Sequence, residues 1–362
     1  RKIKLSASLI ILLSLGIYVA SQFQGAGKTF HDTLGLAPDT AVIVGAGIVF
    51  IYTVIGGFWA VSMSDVIQGL MMVIAAVIVP VAALYAVGGP SELLAKLGAQ
   101  PASYLSWTAG KSGIEGIVFI IGLLAIGLGA TGQPHVVNRF MAIRDEKDVK
   151  VGAWVSITWS VIVFNGMFLA GLCGRVLFDN LGDGEVVLVR LTTELFPPVM
   201  AGVFVAAILS AIMSTADSQL LVCGSTIAHD IPAQRQGRIW VDRIAVFFVC
   251  VAAVVGALTV ARSVFNSALF AWSALGAAFG PVLMVRLLRG PIDPRYILAA
   301  IWVGFGTTLT WFFIPGLKGT MKELLPGYVA ALIVAWIGWR KARAQSQEGS
   351  DAQRVDGYAQ DE

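Results

Sequence analysis

Between residues 40 and 91 the chain carries a single charged side chain, Asp65, within an otherwise apolar run. A helix rises about 1.5 Å per residue and crosses the roughly 30 Å hydrocarbon core in about 20 residues. This interval is therefore too long for one crossing, and it divides into two at Asp65. Similar runs bounded by charges predict ten spans: 5–27, 40–64, 66–91, 116–138, 151–174, 195–216 and onward, 244–261, 263–285, 296–317 and 324–339. Hydrophobic residues make up 57% of the chain and charged ones 13%, against about 25% charged in soluble domains. The runs are continuous and twice the length of a barrel strand, so they predict an all-α membrane protein.

Basic residues alternate between loops. Arg139, Arg144, Lys147 and Lys150 follow the fourth span, and Arg235, Arg238 and Arg243 the sixth. Arg286, Arg289 and Arg295 follow the eighth; Arg340, Lys341 and Arg343 follow the tenth. The loop 179–185 is acidic instead. This asymmetry predicts a multi-pass protein of the cell membrane with both ends of the chain cytoplasmic. It also accounts for the net charge of +3 without a nucleic-acid partner. The expected organisation is a transmembrane domain over 1–343 and a polar, disordered cytoplasmic tail over 344–362. The chain opens on Arg1 and runs straight into a span, so further sequence is expected upstream. Cys173, Cys223 and Cys250 are widely spaced in apolar runs and predict buried thiols.

Polar groups inside apolar segments are costly and point to function. In the sixth span Ala211, Ser214 and Thr215 share one helical face at i, i+3 and i+4. Two hydroxyls and a carbonyl form a partial oxygen cage for a hard cation. Hydroxyls bonding back to the preceding turn, or a small-residue packing face, are the alternatives that spacing leaves open. Asp65 is either a functional intramembrane acid or the interfacial start of the third span. Asp217 reads as a solvated or capped carboxylate near the interface. In the fourth span Gly122, Gly127, Gly129, Gly132 and Pro134 predict a discontinuous helix lining a binding site. No nucleophile, base and orienter converge in the sequence, so an enzyme is not expected.

GIVFIYTVIGGFWAV (47–61), with Tyr52, Thr53, Gly56, Gly57, Phe58 and Ala60 in pattern, resembles the signature of the sodium:solute symporter family. AIMSTADSQLLV, GQPHVVNRFMA and AWSALGAAFGP resemble its sodium/proline symporter branch. The resemblance implies a LeuT-type fold of two inverted helical repeats, with this chain supplying core helices three to ten and two C-terminal helices. The first core helices, which carry half the sodium site, fall outside it, and this chain alone is not expected to transport. The resemblance implies Na⁺ ligation by Ala211, Ser214 and Thr215, with Asp65 as an acid on the ion path. It implies a solute site around Tyr18, Ile126, Ala130, Gln133 and Pro134. Ile126 and Ala130 replace bulky aromatics of the proline carriers, which reshapes that pocket. Gly56, Gly57, Gly129, Gly132 and Arg243 take structural or gating roles. The expected function is sodium-coupled symport of a small solute across the bilayer, with proline or a related amino acid favoured. The alternatives are a pantothenate-type or proton-coupled carrier, or the symporter-like sensor module of a signalling protein.

Overall fold

The computed structural model describes residues 1–101, 103–230, 239–260, 263–317 and 321–358. In chain order its helices are α1 (Lys2–Leu34), α2 (Pro38–Val87), α3 (Pro90–Gly98) and α4 (Gly113–Leu124), then a 3-10 stretch (Ala125–Gly132). They continue with α5 (Pro134–Met141), α6 (Glu146–Leu177), α7 (Val187–Leu195) and α8 (Pro198–Ser225), which ends in a π turn, Thr226–Asp230. Last come α9 (Ile239–Thr259), α10 (Val264–Arg289), α11 (Pro294–Phe313) and α12 (Leu324–Tyr358). Two of the loop bases named above, Arg235 and Arg238, lie outside the described residues, as does most of the side-chain content of the segment 344–362.

Among the described residues eight helices are long and apolar enough to cross a membrane. One of them, α2, holds two of the ten expected spans. Its 50 residues would extend about 75 Å if straight, more than twice the hydrocarbon thickness. The chain does break there, but not at Asp65. Gly57 has φ 59° and ψ −175°, a region open essentially to glycine alone, and it separates helical segments 38–56 and 58–87. Asp65 sits within the second segment. Turning the backbone requires glycine's freedom, whereas a carboxylate needs only partners, and Asp65 finds them. The apolar part of α12, expected as the tenth span, is not among the eight.

The helices fall into two compact units. One comprises 15–111 and 138–269. Within it the two segments of α2 serve separate cores. The first packs Val42, Ala46 and Val49 with Val19 and Phe23 of α1, Ala216 and Leu220 of α8, and Val246 and Cys250 of α9. The second packs Ala75, Val79 and Ala83 with Leu93 and Leu97 of α3, Cys173 of α6, Leu191 of α7 and Phe204 of α8. Lipid offers no hydrophobic drive between helices, so close approach through small residues has to supply the contact. A Cβ on Gly166 of α6 would lie 2.0 Å from the Ala76 carbonyl oxygen of α2. The three cysteines are buried and free.

A polar clamp holds one end of this unit. Lys28, near the end of α1, pairs with Asp183 at 2.7 Å and Glu185 at 2.5 Å. Glu185 also accepts from the backbone N–H groups of Val264 and Phe265 at 3.1 and 2.9 Å. These are first-turn donors of α10 with no partner inside the helix, where an anion is favoured. Burial alone would raise the Asp183 and Glu185 carboxyls. The Lys28 ammonium and backbone N–H donors outweigh it and hold both below their ordinary range.

The other unit comprises 1–14, 112–137 and 270–362. Here the 3-10 stretch lies on α10, and α11 packs along α12. Close contacts again run through glycine. A Cβ on Gly304 of α11 would meet the Ala277 carbonyl oxygen of α10 at 2.2 Å and Ala331 of α12 at 3.0 Å, and one on Gly327 of α12 the Thr308 hydroxyl of α11 at 2.2 Å.

Candidate functional site

The oxygen-bearing face of α8 is built by helical spacing and by α2. Residues 211–215 are half-buried, while 216–220 are fully buried in the core. The hydroxyl of Thr215 donates to the Ala211 carbonyl one turn earlier at 2.9 Å. The hydroxyl of Ser214 does not bond back. It donates to Oδ1 of Asp65 across to α2, at 2.6 Å. Asp65 is only 15% exposed and has a counter-charge: the guanidinium of Arg139, at the end of α5, is hydrogen-bonded and ion-paired to its Oδ2. Arg139 also donates to the Ser218 hydroxyl at 2.5 Å. Ser218 in turn lies 2.8 Å from the Ser214 carbonyl and 3.2 Å from Oδ1 of Asp217. Asp65, Ser214, Ser218, Asp217 and Arg139 thus form one connected polar network inside a helical membrane core.

Two members of that network were not legible as such. Arg139 counts in the sequence as one of four loop bases; its position five residues after Pro134, at the end of a short helix, is the one hint. Asp217 is corrected. It is not solvated but 0% exposed, as is Gln219; its Oδ1 accepts from the Ser218 hydroxyl, and among the described residues its Oδ2 has no hydrogen-bond partner. The i, i+3, i+4 pattern identifies a face of α8 without telling which face turns inward.

The fit to a hard cation rests on the donor set. Ala211 offers a carbonyl oxygen, Ser214 and Thr215 offer hydroxyls, and Asp65 offers negative charge beside Ser214. Hard cations take such oxygens at about 2.3–2.6 Å, and the 2.9 Å separation of the Ala211 and Thr215 oxygens lets one ion touch both. Among the described residues no three His, Cys, Asp or Glu side chains cluster; the donors offered at this face are hydroxyls, a carbonyl and the Asp65 carboxylate.

The residues assigned to the solute lie on other elements. Ile126, Ala130 and Gln133 belong to the 3-10 stretch and its cap, and Pro134 opens α5. Where the helix is interrupted, side-chain hydrogen bonds tie the stretch to α10. The indole of Trp272 donates to the Ile126 carbonyl at 3.0 Å. The Gln133 amide donates to the carbonyls of Gly129 and Trp272, each at 3.0 Å. Gln133 is fully buried, yet among the described residues its Oε1 has no hydrogen-bond partner. Gly129 and Gly132 allow this approach: Cβ atoms there would fall 2.2 Å from Trp272 Nε1 and 2.5 Å from the Leu275 carbonyl oxygen. Ala130 is exposed, while Ile126 and Pro134 are half-buried. Tyr18, on α1 in the other unit, is half-buried. Gly56 precedes the break at Gly57. Arg243, in the first turn of α9, stacks over Trp240 at 5.1 Å.

A family profile described as "Sodium:solute symporter family" matches residues 1–304. The chain belongs to that family. The symporter is 32% identical over 360 residues to the high-affinity proline transporter PutP of Bacillus subtilis, across 96% of this chain and 75% of that protein. It is 33% identical over 344 residues to the sodium/proline symporter of Salmonella typhimurium, across 91% of this chain and 67% of that one. A solved structure of a Na⁺-coupled sialic acid symporter, in a substrate-bound outward-open state, matches with a TM-score of 0.74 at 19% identity. That match covers 93% of this chain and 74% of that chain, and it shows that the fold is shared. The symporter is therefore an all-helical, multi-pass membrane protein of LeuT type, sodium-coupled, moving a small solute.

Proposed function

We propose that this symporter couples sodium to proline, with the ion held on α8 by the Ala211 carbonyl and the hydroxyls of Ser214 and Thr215. The observation that carries the ion assignment is the Ser214–Asp65 hydrogen bond. It points the Ser214 proton toward α2 and leaves the hydroxyl lone pairs for the open face. Asp65 then acts as an anionic waypoint whose charge Arg139 balances. The proline assignment rests on the names of the relatives, and Ile126 and Ala130 make a nearby amino acid worth testing alongside. Gln133 and Pro134 are assigned to the solute because the unused Oε1 of Gln133 is a buried acceptor in a broken helix, the kind of place where carriers bind substrate. Tyr18 is assigned the same role from the family pattern. Gly56, Gly57, Gly129 and Gly132 are the flexing and close-contact positions, and Arg243 marks the cytoplasmic side. Both ends of the chain are cytoplasmic in this reading, 344–362 forms a polar tail, and the protein catalyses no covalent reaction.

Coupling follows from linkage. An ion shifts a conformational equilibrium only through unequal affinity for its two states, so sodium drives uptake when its oxygen cage is complete only in the solute-binding state. The test is proline uptake into proteoliposomes by the full-length protein, with a sodium gradient or a pH gradient of equal size. Ser214→Ala/Thr215→Ala is expected to remove sodium stimulation. Sodium-stimulated uptake undiminished in that variant refutes the ion site, and uptake driven by the pH gradient alone refutes sodium coupling.

A further inference from the structure

The flank of the unit built on α10, α11 and α12 carries a groove that the transport reading does not use. It encloses about 390 Å³ between the C-terminal half of α10 and α12, walled by Met284, Leu288, Leu332, Ile333 and Ile337. Arg289 and Trp336 stand on its lining too. The Arg289 guanidinium lies 5.3 Å from the Trp336 ring and 5.8 Å from that of Trp339. Arg343 stacks on Trp339 at 5.9 Å. The two indoles are 4.9 Å apart, and Trp339 is fixed by donating to the Arg289 carbonyl at 3.0 Å.

This is a built arrangement of positive charge beside an apolar trough. Arg286, Arg289, Arg340 and Arg343 are exposed, and among the described residues no carboxylate pairs with them. Asp293, the acid in the turn between α10 and α11, is used as a cap, accepting from the Arg295 N–H at 2.8 Å. Tryptophan favours the membrane–water interface. A tryptophan stack with arginines suits headgroup depth, and the apolar trough adjoins it along α10 and α12. Guanidinium groups match a phosphodiester with paired donors; a choline or ammonium headgroup sets a positive charge beside that phosphate, so four unpaired arginines favour a lipid whose headgroup is net anionic.

We propose that this groove is a binding site for an anionic phospholipid, its phosphodiester against Arg289 and Arg343 and one acyl chain along Leu332, Ile333 and Ile337. The test uses the full-length protein in mild detergent, titrated with dioleoylphosphatidylglycerol or dioleoylphosphatidylcholine and read by native mass spectrometry. The wild type is expected to retain the glycerol lipid in preference to the choline lipid. Arg289→Gln/Arg343→Gln should lower that retention by about fivefold per arginine, while Arg289→Lys/Arg343→Lys should keep most of it. Leu332→Trp, which fills the trough and leaves the charges in place, should also lose the lipid. Equal retention of the two lipids overturns the proposal. So does retention unchanged in the Gln pair or in Leu332→Trp, as expected if another segment of the full-length protein lies in the groove. Displacement by millimolar inorganic phosphate overturns it as well, since that would mean a headgroup site without the chain.

Discussion

Replacing Arg139 with Gln tests whether the polar network is held together by charge. The guanidinium is 41% exposed and the Asp65 carboxylate 15%, so the pair lies between two regimes. Exposed ion pairs contribute roughly 0.2–1 kcal/mol, while stripping one partner from a fully buried pair costs about 3–5 kcal/mol. Screening on the arginine side places the loss nearer the lower range, at about 1–2 kcal/mol. Most of it is the cost of leaving Asp65 inside the helical core with only the Ser214 hydroxyl for company. That cost disappears if the charge itself is removed. Asp65→Asn should therefore destabilise the wild type but stabilise the Arg139→Gln protein, a reversal of sign. The assay is thermal unfolding of the four full-length proteins in one detergent and one sodium concentration. The expected pattern is a melting point lower by a few degrees for each single variant and partial recovery in the double. Distant, independent sites add within about 0.3–0.5 kcal/mol. Equal losses from Asp65→Asn in both backgrounds would refute the claim that the arginine neutralises the acid.

The other expectations concern backbone and loop. Gly57→Ala forces a Cβ into φ 59°, at about 1–3 kcal/mol, and should lower the melting point without touching the hydroxyl face. Gly129→Ala would place a methyl 2.2 Å from the Trp272 indole nitrogen. It should cost about 1–3 kcal/mol by overpacking and shift tryptophan emission as the indole loses the Ile126 carbonyl. Asp183 and Glu185 titrate below their ordinary values of 3.8 and 4.5. Their clamp is fully present above those values and is lost as pH falls through the depressed ones. Wild-type stability should therefore fall on acidification below about pH 4.5, and Lys28→Met should flatten that fall in a melting-point series against pH.

What could be read from the sequence follows from what hydrocarbon demands. Long uncharged runs can only be helices or barrels, so the helical class and most of the spans are legible in the sequence. The break in α2 was misplaced because Asp65 is conspicuous and Gly57 is not. Charge marks where a helix needs help, while only backbone dihedrals mark where it turns. The Ser214–Asp65 bond joins residues 149 positions apart, and no local spacing reports such a contact. Asp217 was misjudged for a related reason: α8 is apolar enough on all sides that the pattern did not say which side faces the core. The fourth span fared better, because glycine and proline disfavour a regular helix whatever surrounds them.

The hydrogen bond from Thr215 to the Ala211 carbonyl bears on turnover. The two groups satisfy each other at 2.9 Å. Under the ion assignment proposed above, a cation that touches both oxygens must turn the hydroxyl proton away and forfeit a bond of about 1 kcal/mol. That lowers affinity by about fivefold. It also means that departure is rewarded, because the helix heals itself as the ion leaves. A carrier is limited by release as much as by capture, and a back-bonded threonine keeps capture from becoming a trap.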